Sequence, residues 1–243
     1  MDLERYKRQV VVKEIGENRQ KQLAEKKAVI IGGGGLGSNS ANILVRFGIG
    51  SIDIFDNDVV EISNLHRMSI FNEEDIGLSK SQILSKKLKK INSELEIRGF
   101  EKLITKKNIE SISKGTDIII DGTDNLKIRF LINELSVKKG IPWVYAGVKN
   151  TIGMVMAINP GITPCFKCMS PTFKNNKKIE IPVLGNLPVT IASVQCTEAL
   201  KLLIGQKTSG LIIYDTWKQL FEIVKIKKNR NCECCSKRRF EYL

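Results

Sequence analysis

One run, Gly32-Gly33-Gly34-Gly35-Leu36-Gly37, constrains the fold of this chain more than any other feature. A short apolar stretch, Ala28-Val29-Ile30-Ile31, precedes it, and an apolar-periodic stretch over 38–47 follows. Glycines so dense between two such stretches predict a tight strand-to-helix turn. Gly32, Gly34 and Gly37 fit the spacing G-x-G-x-x-G. Glycine there lets backbone N–H groups approach a phosphate, and the helix that follows adds the positive end of its dipole. A second strand is expected over 51–55, ending at Asp56, 19 residues after Gly37. A carboxylate at that point can accept hydrogen bonds from ribose hydroxyls.

The rest of the chain repeats the alternation. A basic amphipathic helix is expected over 79–91, strands over 95–100 and 117–121, a helix over 125–139 and a strand over 142–146. Strands alternating with helices predict an α/β fold, a doubly wound Rossmann-like, mostly parallel sheet with helices on both faces. After residue 150 the pattern changes. A strand over 151–159 leads into an irregular stretch, 160–188, that holds five of the six prolines. A helix over 189–204 and a closing antiparallel pair of strands, 211–214 and 220–226, follow. We read 1–243 as one domain: an N-terminal helical arm over 1–27, a nucleotide-binding core over 28–150 and a C-terminal elaboration over 151–243.

No stretch approaches 18 consecutive apolar residues, and no secretory apolar stretch follows the start, so no membrane span is expected and the cytoplasm is the expected compartment. The formal charge of +13 favours anionic partners. The lysine clusters at 86–90 and 225–228 are not interleaved with aromatics, which make up only 6% of the chain, so a base-stacking surface and a nucleic-acid partner are not expected.

Five of the six cysteines lie in two tight groups. Cys165 and Cys168 are spaced C-x-x-C, and Cys232 and Cys235 repeat that spacing further on. Four thiolates suit a closed, tetrahedral zinc site that pins the C-terminal tail to the chain after the main sheet. Cys234, inside the second pair, offers a competing thiol. Cys196 falls on the apolar side of the 189–204 helix and reads as a buried structural thiol.

A polar set follows the predicted strands. Asn64, Arg67 and Lys80 come after the second, and Asp124 after the fourth. Two cations and an amide suit a triphosphate, and a carboxylate suits Mg²⁺, which takes oxygen ligands and bridges phosphates. Arg129 either supports this site or pairs locally on its helix. His66, the single histidine, reads as a neutral neighbour of the Asn64–Arg67 turn.

Taken in order, these residues resemble the ThiF/MoeB/HesA group of adenylyltransferases, the bacterial relatives of ubiquitin-activating enzymes. The resemblance runs through Arg5-Tyr6-Lys7-Arg8-Gln9, the glycine run, Asp56-Asn57-Asp58 and Ser63-Asn64-Leu65-His66-Arg67. It continues through Lys80, Thr123-Asp124-Asn125 and the two cysteine groups. It implies ATP-dependent activation of the C-terminal carboxylate of a ubiquitin-like sulfur-carrier protein ending in Gly-Gly. The products are an acyl-adenylate and pyrophosphate, and the pathway is thiamine or molybdopterin synthesis.

By the same resemblance Asp56 holds the ribose, while Asn64, Arg67 and Lys80 bind the phosphates and Asp124 holds Mg²⁺. Gly35 contributes a backbone N–H, with Gly32, Gly34, Gly37 and Asn125 completing the nucleotide contacts. Arg8 matches an arginine donated to the partner's site in a homodimer. Many relatives carry a cysteine on the loop before the 189–204 helix. Here 172–188 contains none, with Lys178 near the matching position. The resemblance therefore implies an adenylation-only member that relies on a separate sulfur-donor protein. Two alternatives are MccB-like adenylation of a short peptide and a non-catalytic partner protein. The MccB-like enzymes usually carry a further N-terminal domain; about 27 residues precede the first strand here, and the carrier is the expected substrate.

Overall fold

The computed structural model describes residues 2–169 and 182–243. The N-terminal arm holds α1 (Lys7–Val10) and α2 (Gly16–Ala24). The core runs β1 (Lys27–Ile31), α3 (Gly35–Phe47), β2 (Ser51–Phe55), α4 (Lys80–Ile91), β3 (Glu96–Phe100), α5 (Ile109–Ile112), β4 (Ile118–Asp121) and α6 (Leu126–Lys139). It continues with β5 (Trp143–Lys149), β6 (Ile152–Ile158), α7 (Phe166–Met169), α8 (Leu187–Leu203), β7 (Leu211–Asp215) and β8 (Leu220–Val224). Among the described residues no helix is long and apolar enough to cross a membrane.

The sheet has eight strands in the order β3-β2-β1-β4-β5-β6-β7-β8. Strands β1 to β5 are parallel and β6 to β8 antiparallel, as the alternation predicts. In β1 and β4 the apolar runs are buried because helices cover both faces. On one face α3, α4 and α8 pack around Leu44, Leu84, Ile191 and Cys196. On the other, α6 packs with the Cys165–Phe166 segment and the C-terminal tail, around Phe130, Trp143 and Phe166.

From β1 the chain winds outward through β2 and β3, then crosses back to β4 on the other side of β1. The strand order reverses there, so the connections after β1 and β4 leave in opposite directions and open a crevice at their C-terminal ends.

Several elements differ from the sequence expectation, α5 among them, which no sequence signal marked. α3 begins at Gly35 rather than 38, because the end of the glycine run is itself the first helical turn. β5 extends to Lys149, since it pairs along its whole length with β6. The 160–188 stretch contains α7, which sets Cys165 and Cys168 one turn apart, and α8 starts at Leu187 with Pro188 in its first turn. Proline is tolerated there because the first turn has no N–H partner to lose.

Candidate functional site

The two turns at the reversal point interlock. Gly32 has φ +91°, and a Cβ on it would lie 2.7 Å from the Gly122 carbonyl. A Cβ on Gly37 would lie 1.7 Å from the Gly32 oxygen, and one on Gly122 would lie 2.2 Å from the same atom. The helix can approach the strand ends this closely only without side chains. Gly122 was not singled out by the sequence reading, although its place directly after an apolar strand and before Thr123-Asp124 marks it. Replacing Gly37 by Ala forces a backbone shift, so its cost should reach or exceed the roughly 1–3 kcal/mol typical of overpacking. Denaturant midpoints check this, and an unchanged midpoint would refute the interlock.

Asp56 stands beside this loop. Its carboxylate accepts the N–H of Gly33 at 2.5 Å and of Asp58 at 2.7 Å. Burial pushes the Asp56 carboxyl above its usual range, and those two N–H groups pull against it. Each oxygen keeps a lone pair for a further donor. Lys80 opens α4 and is 8% exposed, with its ammonium 3.4 Å from Asp58. Its N–H donates to the Asp58 carbonyl at 2.9 Å, which stitches the loop after β2 to the start of α4.

Asn64 and Arg67 lie on a 3-10 turn, Ile62–Arg67. Asn64 is buried, and its side-chain oxygen accepts the Glu61 N–H at 3.3 Å. Arg67 donates to the Ser63 carbonyl at 2.7 Å, and a Cβ on Gly35 would lie 3.3 Å from the Arg67 Cδ, so its stem lies over the glycine loop. Asn39, a residue the sequence reading did not pick out, holds this arrangement. Its amide donates to the carbonyls of Gly35 at 2.6 Å and Arg67 at 3.0 Å, and its oxygen accepts from Ser69. The His66 Nδ1 lies 3.0 Å from the Ser63 carbonyl, within the turn as expected.

The segment before α8 closes this side. Pro182 and Leu184 bond the backbone of Asn150, and a Cβ on Gly185 would lie 2.6 Å from the His66 carbonyl. Lys178 lies outside the described residues.

Beyond β4, Asp124 is exposed and makes no hydrogen bond or ion pair with another described residue. Asn125 caps α6: its side-chain oxygen accepts the N–H groups of Lys127 at 2.9 Å and Ile128 at 3.3 Å. The expected nucleotide contact of Asn125 can therefore come only from its amide nitrogen or backbone. Arg129 is mostly buried beneath the loop, paired with Asp121, and does not lie on an exposed helix face. Arg8 lies exposed on α1 and bonds none of these residues.

The cysteines assemble as the spacing predicts. The Sγ atoms of Cys165, Cys168, Cys232 and Cys235 all lie within 4.8 Å of one another. Three pairs are 3.9, 3.7 and 3.5 Å apart, close to the roughly 3.8 Å edge of a tetrahedron of thiolates about 2.3 Å from a metal. The cluster could hold a metal ion. Cys234 is outside this group of four but adjoins it: its buried sulfur hydrogen bonds with Cys165 and accepts the Asn133 amide at 3.2 Å. The same Asn133 accepts the Phe166 N–H at 2.8 Å, so one side chain of α6 holds both cysteine segments.

Cys196 is fully buried and donates to the Ser40 carbonyl at 3.4 Å, and burial pushes its thiol up to about 12. A thiol that stays protonated at neutral pH is no nucleophile. Cys196→Ser should keep turnover within about twofold, and a folded but inactive variant would overturn this structural reading.

Fold and crevice together define a doubly wound α/β protein with a glycine loop and a set of polar side chains gathered at its switch point. The sequence profile of the ThiF family matches residues 6–235, and the chain belongs to that family. It is 34% identical to the sulfur carrier protein ThiS adenylyltransferase of Bacillus subtilis (strain 168), over 98% of this chain and 73% of that one. It is 31% identical to the SAMP-activating enzyme E1 of Haloferax volcanii, over 96% and 88%. It is 30% identical to the sulfur carrier protein adenylyltransferase of Thermus thermophilus, over 96% and 91%. Among solved structures, Escherichia coli MccB with MccA-N7isoASN superposes with a TM-score of 0.85 at 23% identity, over 95% of this chain and 74% of that one, a likeness of fold.

Proposed function

We propose that this chain is one adenylation domain that activates the C-terminal glycine carboxylate of a ubiquitin-like sulfur-carrier protein with ATP. The carrier carboxylate oxygen attacks the α-phosphorus, the bond from that phosphorus to the bridging oxygen of pyrophosphate breaks, and the pair of electrons leaves with pyrophosphate. The acyl-adenylate is then open to sulfur from a separate donor protein.

The observation that carries this reading is that Asp56, Lys80 and the Arg67 turn stand around one glycine loop at the switch point. In this reading Asp56 receives the ribose hydroxyls, and the backbone of Gly32, Gly34, Gly35 and Gly37 follows the phosphates. Arg67, Lys80 and Asn64 neutralise and orient the phosphates. This chemistry needs positioning and charge stabilisation more than a protein nucleophile. Asp124 is an exposed oxygen donor with no hydrogen bond to another described residue and fits Mg²⁺, which when bound would supply charge neutralisation across the phosphates. The four-thiolate cluster fits zinc in a structural role, because four protein ligands leave no open position. The free thiols suit a reducing cytoplasm.

Arg8 completes the site only across a homodimer. Arg8→Ala should lower adenylation about 10²-fold while leaving the metal content of the cysteine cluster unchanged. Full activity in that variant would remove the cross-subunit role.

Carboxylate-dependent exchange of pyrophosphate into ATP tests the whole reading. Exchange with an intact Gly-Gly carrier and not with a tail-truncated one supports it. Exchange with short peptides alone would place the chain with peptide adenylation. None with either, in protein that binds ATP, would point to a non-catalytic partner.

A further inference from the structure

The residue that the reading above leaves unused is Arg129, whose side chain is only 14% exposed. Its Nε donates to the Asp121 carboxylate at 2.9 Å. Its Nη2 donates to the Thr123 carbonyl and, at 2.9 Å, to the Ala146 carbonyl. Its flat face lies 5.0 Å from the centre of the Tyr145 ring. Asp121 is itself fully buried and also accepts the Thr123 N–H at 2.9 Å and hydroxyl at 2.7 Å. From the other side, Gln195 of α8 donates to the carbonyls of Asp121 at 2.8 Å and Val144 at 2.9 Å.

Thr123 is thus held at its N–H, its carbonyl and its hydroxyl, and Asn125 is held as the cap of α6. Asp124, between them, is the one residue of the loop whose side chain is unengaged. A buried ion pair is expensive unless its donors and acceptors are matched, and here Nε and Nη2 of Arg129 and both oxygens of Asp121 are engaged. Such an arrangement sets the backbone on either side of the Asp124 carboxylate, which also feels the positive charge of Arg129; Arg129→Lys keeps that charge and changes the geometry.

We propose that Arg129 is a positioning residue for Asp124, setting the direction of its carboxylate toward the metal–nucleotide complex. This rests on the assignment of Asp124 to Mg²⁺. The Arg129 fork reaches one carboxylate and two carbonyls at fixed angles, and a lysine ammonium, a single point on a flexible stem, does not reproduce it. Partners that orient a metal ligand are worth about 10–100-fold in metal affinity or activity.

The experiment compares Arg129→Lys with the wild type in two readouts. One is the Mg²⁺ concentration that half-saturates ATP–pyrophosphate exchange. The other is direct titration of ATP binding, with Mg²⁺ and with EDTA. In Arg129→Lys the half-saturating Mg²⁺ concentration should rise about tenfold. ATP affinity should weaken with Mg²⁺ present but hold within about twofold in EDTA, with the carrier KM unchanged. A folded variant with wild-type Mg²⁺ dependence overturns the proposal. So does one that loses ATP equally with and without the metal, which would mark a purely structural role. Should Arg129→Lys fail to fold, Asp121→Asn, which keeps the shape and removes the charge holding the guanidinium, must show the same Mg²⁺ shift. A wild type without exchange would sink the adenylation reading, and the binding titration would still decide the role of Arg129.

Discussion

Asp124→Ala should lose about 10³-fold in carrier-dependent ATP–pyrophosphate exchange with its thermal midpoint nearly unmoved. The two halves of this expectation have separate causes. The carboxylate is exposed and unpartnered, so the fold does not depend on it, and surface changes of this kind stay within about 0.5 kcal/mol. The reaction gathers negative charge on a leaving pyrophosphate. In the proposed site Asp124 would hold the Mg²⁺ that stabilises such charge, and losing one stabilising group costs about 10²–10³-fold, with the top of that range near 4 kcal/mol. Asp124 is placed at the upper end because it is the one carboxylate on the 122–125 loop, so no neighbour substitutes. Asp124→Asn, which keeps the shape, should fall almost as far. A wild-type rate in either variant removes Asp124 from the site.

Emptying the cysteine cluster should have the largest effect on stability. Structural zinc contributes about 10–16 kcal/mol to the folding of small zinc domains. Here the tail has other fastenings. The Glu134 carboxylate accepts the N–H groups of Glu241, Tyr242 and Leu243, and Arg238 reaches the last carbonyls of α6 at Val137 and Lys138. The four thiols would nonetheless be left crowded without a metal. Phe166, beside Cys165, packs against Phe130, Trp143 and Tyr145, so loosening this corner opens the core on that face of the sheet. A loss of even about 5 kcal/mol lowers the midpoint by roughly 10–20 °C at this chain length. Cys232→Ser combined with Cys235→Ser should show that drop by calorimetry. The wild type should carry about one zinc per chain and the double variant none. Zinc-free wild-type protein melting at the same temperature as the zinc-loaded form would refute the structural role.

Much of this was legible in the chain because it is local. The glycine turn depends on residues within a few positions, and so do the alternation of strand and helix and the C-x-x-C pairs. The Asn125 cap is as local as these, yet the motif suggested a nucleotide contact, since cap and ligand use the same residue type. Arg129 could not be resolved locally. Its two readings differ only in what lies above it, and that is Tyr145 and Ala146 of β5. Asn39 and Gln195 were invisible for the same reason. Their partners are 28 and 74 residues away, and a polar residue in a helix carries no signal of a distant carbonyl. Cys234 was ambiguous in sequence beside Cys235, and only the fold shows that it sits at the edge of the cluster, against Cys165 and the Asn133 amide.

By itself the sequence determined most of the secondary structure, the winding of the sheet, the loops at the switch point and the identity of the four clustering thiols, because periodicity, glycine and short spacings act within a turn or two of backbone. Only the tertiary structure decided that Gly32, Gly37 and Gly122 must all lack side chains, and that Arg67 lies across Gly35. It also decided that a buried Arg129–Asp121 pair fixes the loop on either side of Asp124. Those facts arise where β1, β4, α3, α6 and α8 converge, and close approach between elements far apart in the chain is set by packing, which no local pattern records.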